Sequence, residues 1–228
     1  MIDILIPVLG RPWNVEPLVE SIVSGTDGPY QIVFICSPQD SEQIEACRKT
    51  GQTTLTVSWQ PKKADYARKI NWGFSQTNSE WFFQGADDIR FGKHWDTYAL
   101  NVAKGQRSVI GTNDLHHPGS RQGTHSTHLL IKRSYIEEQG GTFDQTGAVF
   151  SEAYDHQWID NEFILTARRR GVWAFSKRSL VEHFHPIWKN ADWDDTYRKS
   201  FRHAGSDRRL FLHRKRKLER LEGKVPVR

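Results

Sequence analysis

Three groups of side chains in this sequence have the types and spacing to do chemistry. The first is Asp87-Asp88, at the end of the apolar run from Glu80 to Gln84. Adjacent carboxylates at the mouth of a buried strand repel each other unless a cation neutralises them. Mg²⁺ and Mn²⁺ suit such oxygens and the phosphates of a ligand. Without a cation the pair reads as an Asp-Asp turn closing the strand. The second group is Asp155, Asp160 and Glu162, in the acidic start of the segment Tyr154 to Arg170. A carboxylate there can take a proton from a hydroxyl, or it can simply compensate a helix dipole. The third is His183 and His185 in Leu-Val-Glu-His-Phe-His-Pro, residues 180–186. On a strand the two point to one face, where neutral imidazoles can ligate a metal. The absence of cysteine beside them argues against a structural zinc site.

These groups need elements that bring them together. Ile2–Val8, Gln31–Cys36, Thr53–Trp59 and Glu80–Gln84 read as strands. Between them, Asn14–Val23, Ser41–Lys49 (with Ser41 as N-cap) and Asp65–Ser75 read as helices. Such alternation predicts an α/β fold with a mainly parallel sheet. Ligands of these sheets bind at the carboxyl ends of the strands, which gives weight to residues 7–11, 37–40, 60–63 and 85–88. Further on, 108–111, 127–131, 172–175 and 180–184 read as short strands, and Tyr154–Arg170 as one helix. Asn113 to Ser126 is a polar loop rich in His and Gly, within which Asp114 could accept sugar hydroxyls.

The order of these motifs resembles the GT-A nucleotide-sugar glycosyltransferases, and within them the inverting, family 2-type enzymes. The residues that carry the likeness are Ile6-Pro-Val-Leu-Gly-Arg-Pro12, the helix Ala67-Arg-Lys-Ile-Asn-Trp-Gly73, Gly85-Ala-Asp-Asp-Ile-Arg-Phe91, the acidic helix and the late histidine. The resemblance covers residues 1–186. It implies a GT-A, Rossmann-like, mostly parallel central sheet flanked by helices. It implies a nucleotide-sugar-binding half (1–112), an acceptor and catalytic half (113–186), and a basic C-terminal lid and helical tail (187–228). It places Pro7, Leu9, Arg11, Ser37, Asp65, Arg68, Asn71, Asp87 and Asp88 at the donor. It implies that Asp88 binds the Mn²⁺ or Mg²⁺ and that a histidine, His183 or else His185, completes the metal shell. It implies Asp160 as the general base, with Glu162 and Asp155 as alternatives, and a UDP-sugar as the donor. Two features depart from the family pattern. The second strand ends Cys36-Ser37-Pro38 without an acid, and the acidic motif is Asp-Asp, not Asp-x-Asp.

The chain has 228 residues and a formal charge of +5, unevenly spread. Thr196 to Arg220 holds ten Lys/Arg against two acids, so the remainder is acidic. A tail of this kind can contact a polyanion such as nucleic acid or lipid, or can be a solvated helix. Arg198, Lys199 or Arg202 could instead close over a leaving diphosphate. Trp158, Trp188 and Trp193 lie near the expected site, where an aromatic face can stack on a sugar. Two cysteines, Cys36 and Cys47, exclude a disulfide framework and point to a reducing, cytoplasmic setting. No run approaches a membrane span, and the N-terminus reads as a strand, not a signal peptide. The acceptor is a protein, nucleic acid or glycan. Two other functions remain open: a nucleotidyltransferase, which would favour a Gly-rich basic loop after the first strand, and a nucleic-acid module driven by the tail.

Overall fold

The computed structural model describes residues 1–222, so residues 223–228 of the basic tail lie outside the described residues. Alternating strands and helices open the chain: β1 (Ile2–Pro7), α1 (Val15–Gly25), β2 (Tyr30–Cys36), α2 (Ser41–Lys49), β3 (Thr53–Thr56), α3 (Asp65–Ser75) and β4 (Trp81–Gln84). Then come β5 (Ile89–Phe91), α4 (Trp95–Leu100), β6 (Val109–Asn113), α5 (Pro118–Arg121), β7 (Leu129–Lys132), α6 (Arg133–Gln139), α7 (Ile159–Arg169) and β8 (Trp173–His183). Two helices, α8 (Asp195–Phe201) and α9 (Ala204–Glu222), follow.

The strands form one eight-stranded sheet in the order β3-β2-β1-β4-β7-β6-β8-β5. Among the described residues, four of the seven pairings are parallel and the three involving β7 or β5 are antiparallel. All six residues of β1 are buried. A strand covered on both faces must be apolar throughout, and this one is nearly so. Leu5 joins the core beneath α3 and α7, whereas Ile4 and Ile6 join the core beneath α1 and α4. Each contributes roughly 1.5–3 kcal/mol by leaving water. Gly73 lets α3 lie close on the sheet, because a Cβ there would run into the Ile35 side chain.

Because β7 runs antiparallel to both β4 and β6, while β8 is parallel to β6, one edge collects unlike ends. The carboxyl ends of β1, β4, β6 and β8 and the amino end of β7 share it. Residues that follow four strands thus meet residues that precede a fifth.

Several expected boundaries differ. Residues 172–175 and 180–184 belong to one strand, β8, whose first half pairs with β6 and whose last residues pair with β5. The polar stretch Ser176–Ser179 interrupts its apolar pattern without ending it. Helix α7 begins at Ile159, not Tyr154, because Trp158 is left-handed (φ 70°) and Asp207 of α9 accepts the amides of Asp155, His156 and Gln157. Ser41 is the first residue of α2 and not its cap. Asp40 stands at the cap position, and its carboxylate accepts the Gly10 amide instead.

Candidate functional site

A cleft of about 510 Å³ opens along that mixed edge. Its floor is the Asp pair. Arg11 donates from one guanidinium nitrogen to Asp87 Oδ1 (3.0 Å) and Asp88 Oδ2 (3.2 Å). Its other nitrogens donate to Asp194 at 2.7 and 3.2 Å, and the guanidinium stacks 3.7 Å over the Tyr197 ring. Asp194 also caps α8 by accepting the Tyr197 amide. The Tyr197 hydroxyl reaches Asp88 Oδ2 at 3.0 Å. Arg11, Asp87, Asp88 and Tyr197 are all buried. Burial pushes the Asp87 carboxyl up to about 7. Burial acts on Asp88 too, but His183 and Arg11 more than offset it and hold that carboxyl far below the usual range.

Asp88 Oδ1 is buried and has no hydrogen-bond partner. It lies 3.5 Å from His183 Nε2. His128 is buried as well, with both ring nitrogens unpartnered. One donor atom from each of Asp88, His128 and His183 falls within 4.8 Å of the other two. Burial, with His183 close by, pulls the His128 imidazole down to about 4, so it presents lone pairs and not charge. A buried, unpartnered carboxylate oxygen and imidazole, with the half-buried His183 imidazole beside them, suit a divalent transition metal. His185 lines the cleft but stands outside this cluster. It lies beyond the end of β8, and its Nδ1 accepts the Ile187 amide.

Asp160 lines the same cleft. Its Oδ2 is 3.1 Å from His125 Nε2, and its Oδ1 accepts the Asn161 amide. Burial would raise this carboxyl, but His125 outweighs it and holds the group below its ordinary range. His125 is pushed up in turn, burial notwithstanding, by Asp160. Glu162 is buried and turned away. Tyr154 donates to it at 2.6 Å, and Arg214 of α9 donates to both its oxygens at 2.6 and 2.8 Å.

The remaining expected residues divide. Pro7, Leu9 and Asp65 line the cleft. Ser37, Arg68 and Asn71 do not. Lys69, 1% exposed, donates to Ser37 Oγ and to the Val8 carbonyl and pairs with Asp65, tying the ends of β1 and β2 to α3. Arg68 packs 4.4 Å over Trp59. Asn71 uses its amide to hold the segment from Val149 to Glu152. Asp114 does not face the cleft. Its oxygens accept from His116 N, His117 N, Ser120 and Thr127, and so shape the 113–127 loop. Lys199, Arg202 and Trp158 line the cleft, while Arg198 pairs with Asp195 outside it.

Sequence reasoning missed His128, His125 and Tyr197. The polar loop 113–126, with three histidines, hinted at His125, but nothing local singled out His128.

No protein-family model matches the chain, and no curated protein matches it. Solved structures do match in fold. Glucosyl-3-phosphoglycerate synthase from Mycobacterium tuberculosis, in complex with Mn²⁺, UDP-glucose and phosphoglyceric acid, superposes with a TM-score of 0.63 at 10% identity, over 94% of this chain and 79% of that one. The mannosyltransferase PcManGT from Pyrobaculum calidifontis, in complex with GDP-Man and Mn²⁺, gives 0.62 at 11% identity, over 99% and 76%. TarS from S. aureus gives 0.59 at 14% identity, over 93% of this chain and 43% of its own. The fold is thus the GT-A type that these glycosyltransferases share.

Proposed function

We propose that this chain is a metal-dependent glycosyltransferase that moves a sugar from a nucleotide-sugar, a UDP-sugar in the first instance, to a hydroxyl acceptor with inversion. The observation that carries the reading is the unpartnered Asp88 Oδ1 facing His128 and His183 in the cleft that also holds Asp160. Leaving such groups buried and unsatisfied costs about 1–3 kcal/mol each, which a bound cation would offset. Asp88, His128 and His183 would hold Mn²⁺ or Mg²⁺, and the cation would neutralise the diphosphate of the leaving nucleotide.

The protein's own residues account for the rest. Pro7, Leu9 and Asp65 form the wall for the nucleoside, and Arg11, which also binds Asp87, fixes Asp88. Asp160, kept ionised by His125, takes the proton of the acceptor hydroxyl as that oxygen attacks the anomeric carbon. Inversion needs this one base and no covalent nucleophile. In this reading residues 1–112 bind the donor, 113–186 receive the acceptor, and the segment from 187 closes the site. The metal and sugar nucleotides held by the M. tuberculosis and P. calidifontis enzymes support the donor class and leave UDP and GDP to be separated by experiment. No helix among the described residues is long and apolar enough to cross a membrane. Cys36 and Cys47 are buried free thiols, in keeping with a cytoplasmic setting.

The test is a thermal-shift panel of UDP, GDP, ADP and their sugars, each with and without Mn²⁺. A ligand that binds only the folded state raises the melting temperature by mass action. A shift with one nucleoside diphosphate that needs Mn²⁺ is expected. A folded sample that no nucleotide shifts would overturn the reading.

A further inference from the structure

Six lysine and arginine side chains line the cleft, and they fall into two sets. Arg11 and Lys69 are buried and committed, the first to Asp87, Asp88 and Asp194, the second to Asp65. Lys62, Lys63, Lys199 and Arg202 are exposed, and among the described residues none has an ion-pair partner. They come from two distant segments that meet at Asp155. The Ala64 amide, next to Lys63, donates to the Asp155 carbonyl at 3.0 Å, and His203, next to Arg202, lies 3.7 Å from the Asp155 carboxylate. The 155–157 backbone is itself held by buried Asp207. The four cations therefore line the cleft on the two segments packed against the 155–157 turn that leads into Asp160, and the cleft's floor holds Asp87 and Asp88.

Charge decides what this part of the cleft is for. Asp65 is matched by Lys69 and Asp160 by His125. The floor carboxylates Asp87 and Asp88 share Arg11 with Asp194, and a divalent cation would offset the negative charge that Arg11 does not. What remains is four cations against Asp155. A nucleotide-sugar brings two ionised phosphates, which leaves this part of the cleft still positive. Unpaired cations converging on a concave site favour a bound anion.

Resting on the glycosyltransferase reading, we propose that this part of the cleft is the acceptor subsite and that the acceptor is a small anion, a hydroxyl compound bearing a phosphate or carboxylate held by Lys62, Lys63, Lys199 and Arg202. The anionic group docks there and presents the hydroxyl to Asp160. A cleft of this volume admits a small molecule beside a nucleotide.

The experiment is calorimetric titration of the full chain, preloaded with Mn²⁺ and the nucleoside diphosphate that stabilises it. Glycerol 3-phosphate, glycerate, inorganic phosphate and uncharged glycerol are the titrants. Glycerol 3-phosphate or glycerate should bind alongside the nucleotide and glycerol should not. Phosphate and carboxylate are separated by which of the two binds more tightly. The exposed pair K62Q/K63Q should weaken that binding about tenfold or more while Mn²⁺-dependent nucleotide affinity stays within about twofold. Equal binding of charged and uncharged titrants, or no binding to the loaded protein, would overturn the proposal and leave the transferase reading standing. Anions that displace the nucleotide instead of binding beside it would assign the cations to the donor's phosphates, and would overturn it too. Failure of the wild-type protein to take up any nucleotide with Mn²⁺ would remove the transferase reading and the subsite together.

Discussion

Asp88 divides its carboxylate between two jobs. Oδ2 is held by Arg11 at 3.2 Å, and Oδ1 is left bare 3.5 Å from His183. An oriented carboxylate with one free oxygen is what a metal site needs, since the second oxygen fixes the first. Asp88→Ala should therefore abolish Mn²⁺-dependent nucleotide binding while the protein stays folded. His128→Gln, which keeps the shape but offers an amide, should lower Mn²⁺ affinity by about 10–100-fold, read by Mn²⁺ electron paramagnetic resonance titration. Unchanged affinity in His128→Gln would remove His128 from the site.

Asp160 and Glu162 sit two residues apart on α7 and have separate surroundings. Asp160→Asn should cut transfer by about 10²–10⁴-fold, the range for loss of a general base, with nucleotide affinity retained. Glu162→Gln should instead lower the melting temperature, because Arg214 and Tyr154 lose a buried acceptor, and should leave turnover of the folded fraction close to wild type. The reverse pattern would move the base to Glu162.

The His125–Asp160 contact makes a prediction in pH. His125 holds Asp160 below the ordinary carboxylate range despite burial. Transfer should thus persist as pH falls until Asp160 protonates. His125→Gln removes the stabilising cation, so the Asp160 pKa rises and the acidic limb of kcat/KM moves to higher pH. A limb that does not move in His125→Gln would mean that His125 does not tune the base. The stability contributed by ionised Asp160 follows the same sign: it is present above the unfolded-state pKa and is lost as pH falls through the lower folded-state value.

What the sequence made legible follows from where each signal sits. The boundaries of α3 and α2 were readable because apolar spacing and flanking punctuation agree locally. Asp88 and His183 could be singled out as candidates because one lies in the turn after β4 and the other ends β8, and α/β sheets place ligands at the carboxyl ends of strands. His128 was not, because it precedes a strand. It reaches the site only through the antiparallel reversal of β7, a property of topology that no local pattern encodes. Arg11 stood out as a donor-site residue, but its grip on Asp194 joins residues at opposite ends of the chain. Asn71 shows the converse. Its motif position suggested the donor, yet all of its amide hydrogen bonds go to the backbone or side chain of residues 149–152.

Arg11 also joins the floor to the C-terminal segment. Arg11→Met would leave two buried carboxylates without their shared cation and release Asp194. Breaking one side of a buried ion pair costs about 3–5 kcal/mol, so a marked drop in melting temperature is expected. Hydrogen exchange should quicken in α8 before it quickens in β1, because α8 has lost its anchor while β1 keeps its core. Uniform exchange across both would show that Arg11 does not hold the segment.

Helix α9 of the basic tail is tied to the rest of the fold through Asp207 and Arg214. Asp207, 3% exposed, accepts three consecutive amides at 2.9 Å, and Arg214 bridges Glu162 and Asp144. Removing Asp207 leaves three amides of the 155–157 turn to be resolvated or orphaned, at about 1–3 kcal/mol for each one left buried. That turn leads into Asp160. Asp207→Ala should accordingly lower the melting temperature and raise KM for the acceptor more than for the donor. Truncation after Arg202 should melt earlier still, since it removes Asp207 and Arg214 together. A truncated protein as stable as the full chain would show that these contacts do not support the fold, and that the tail is the solvated helix its charge first suggested.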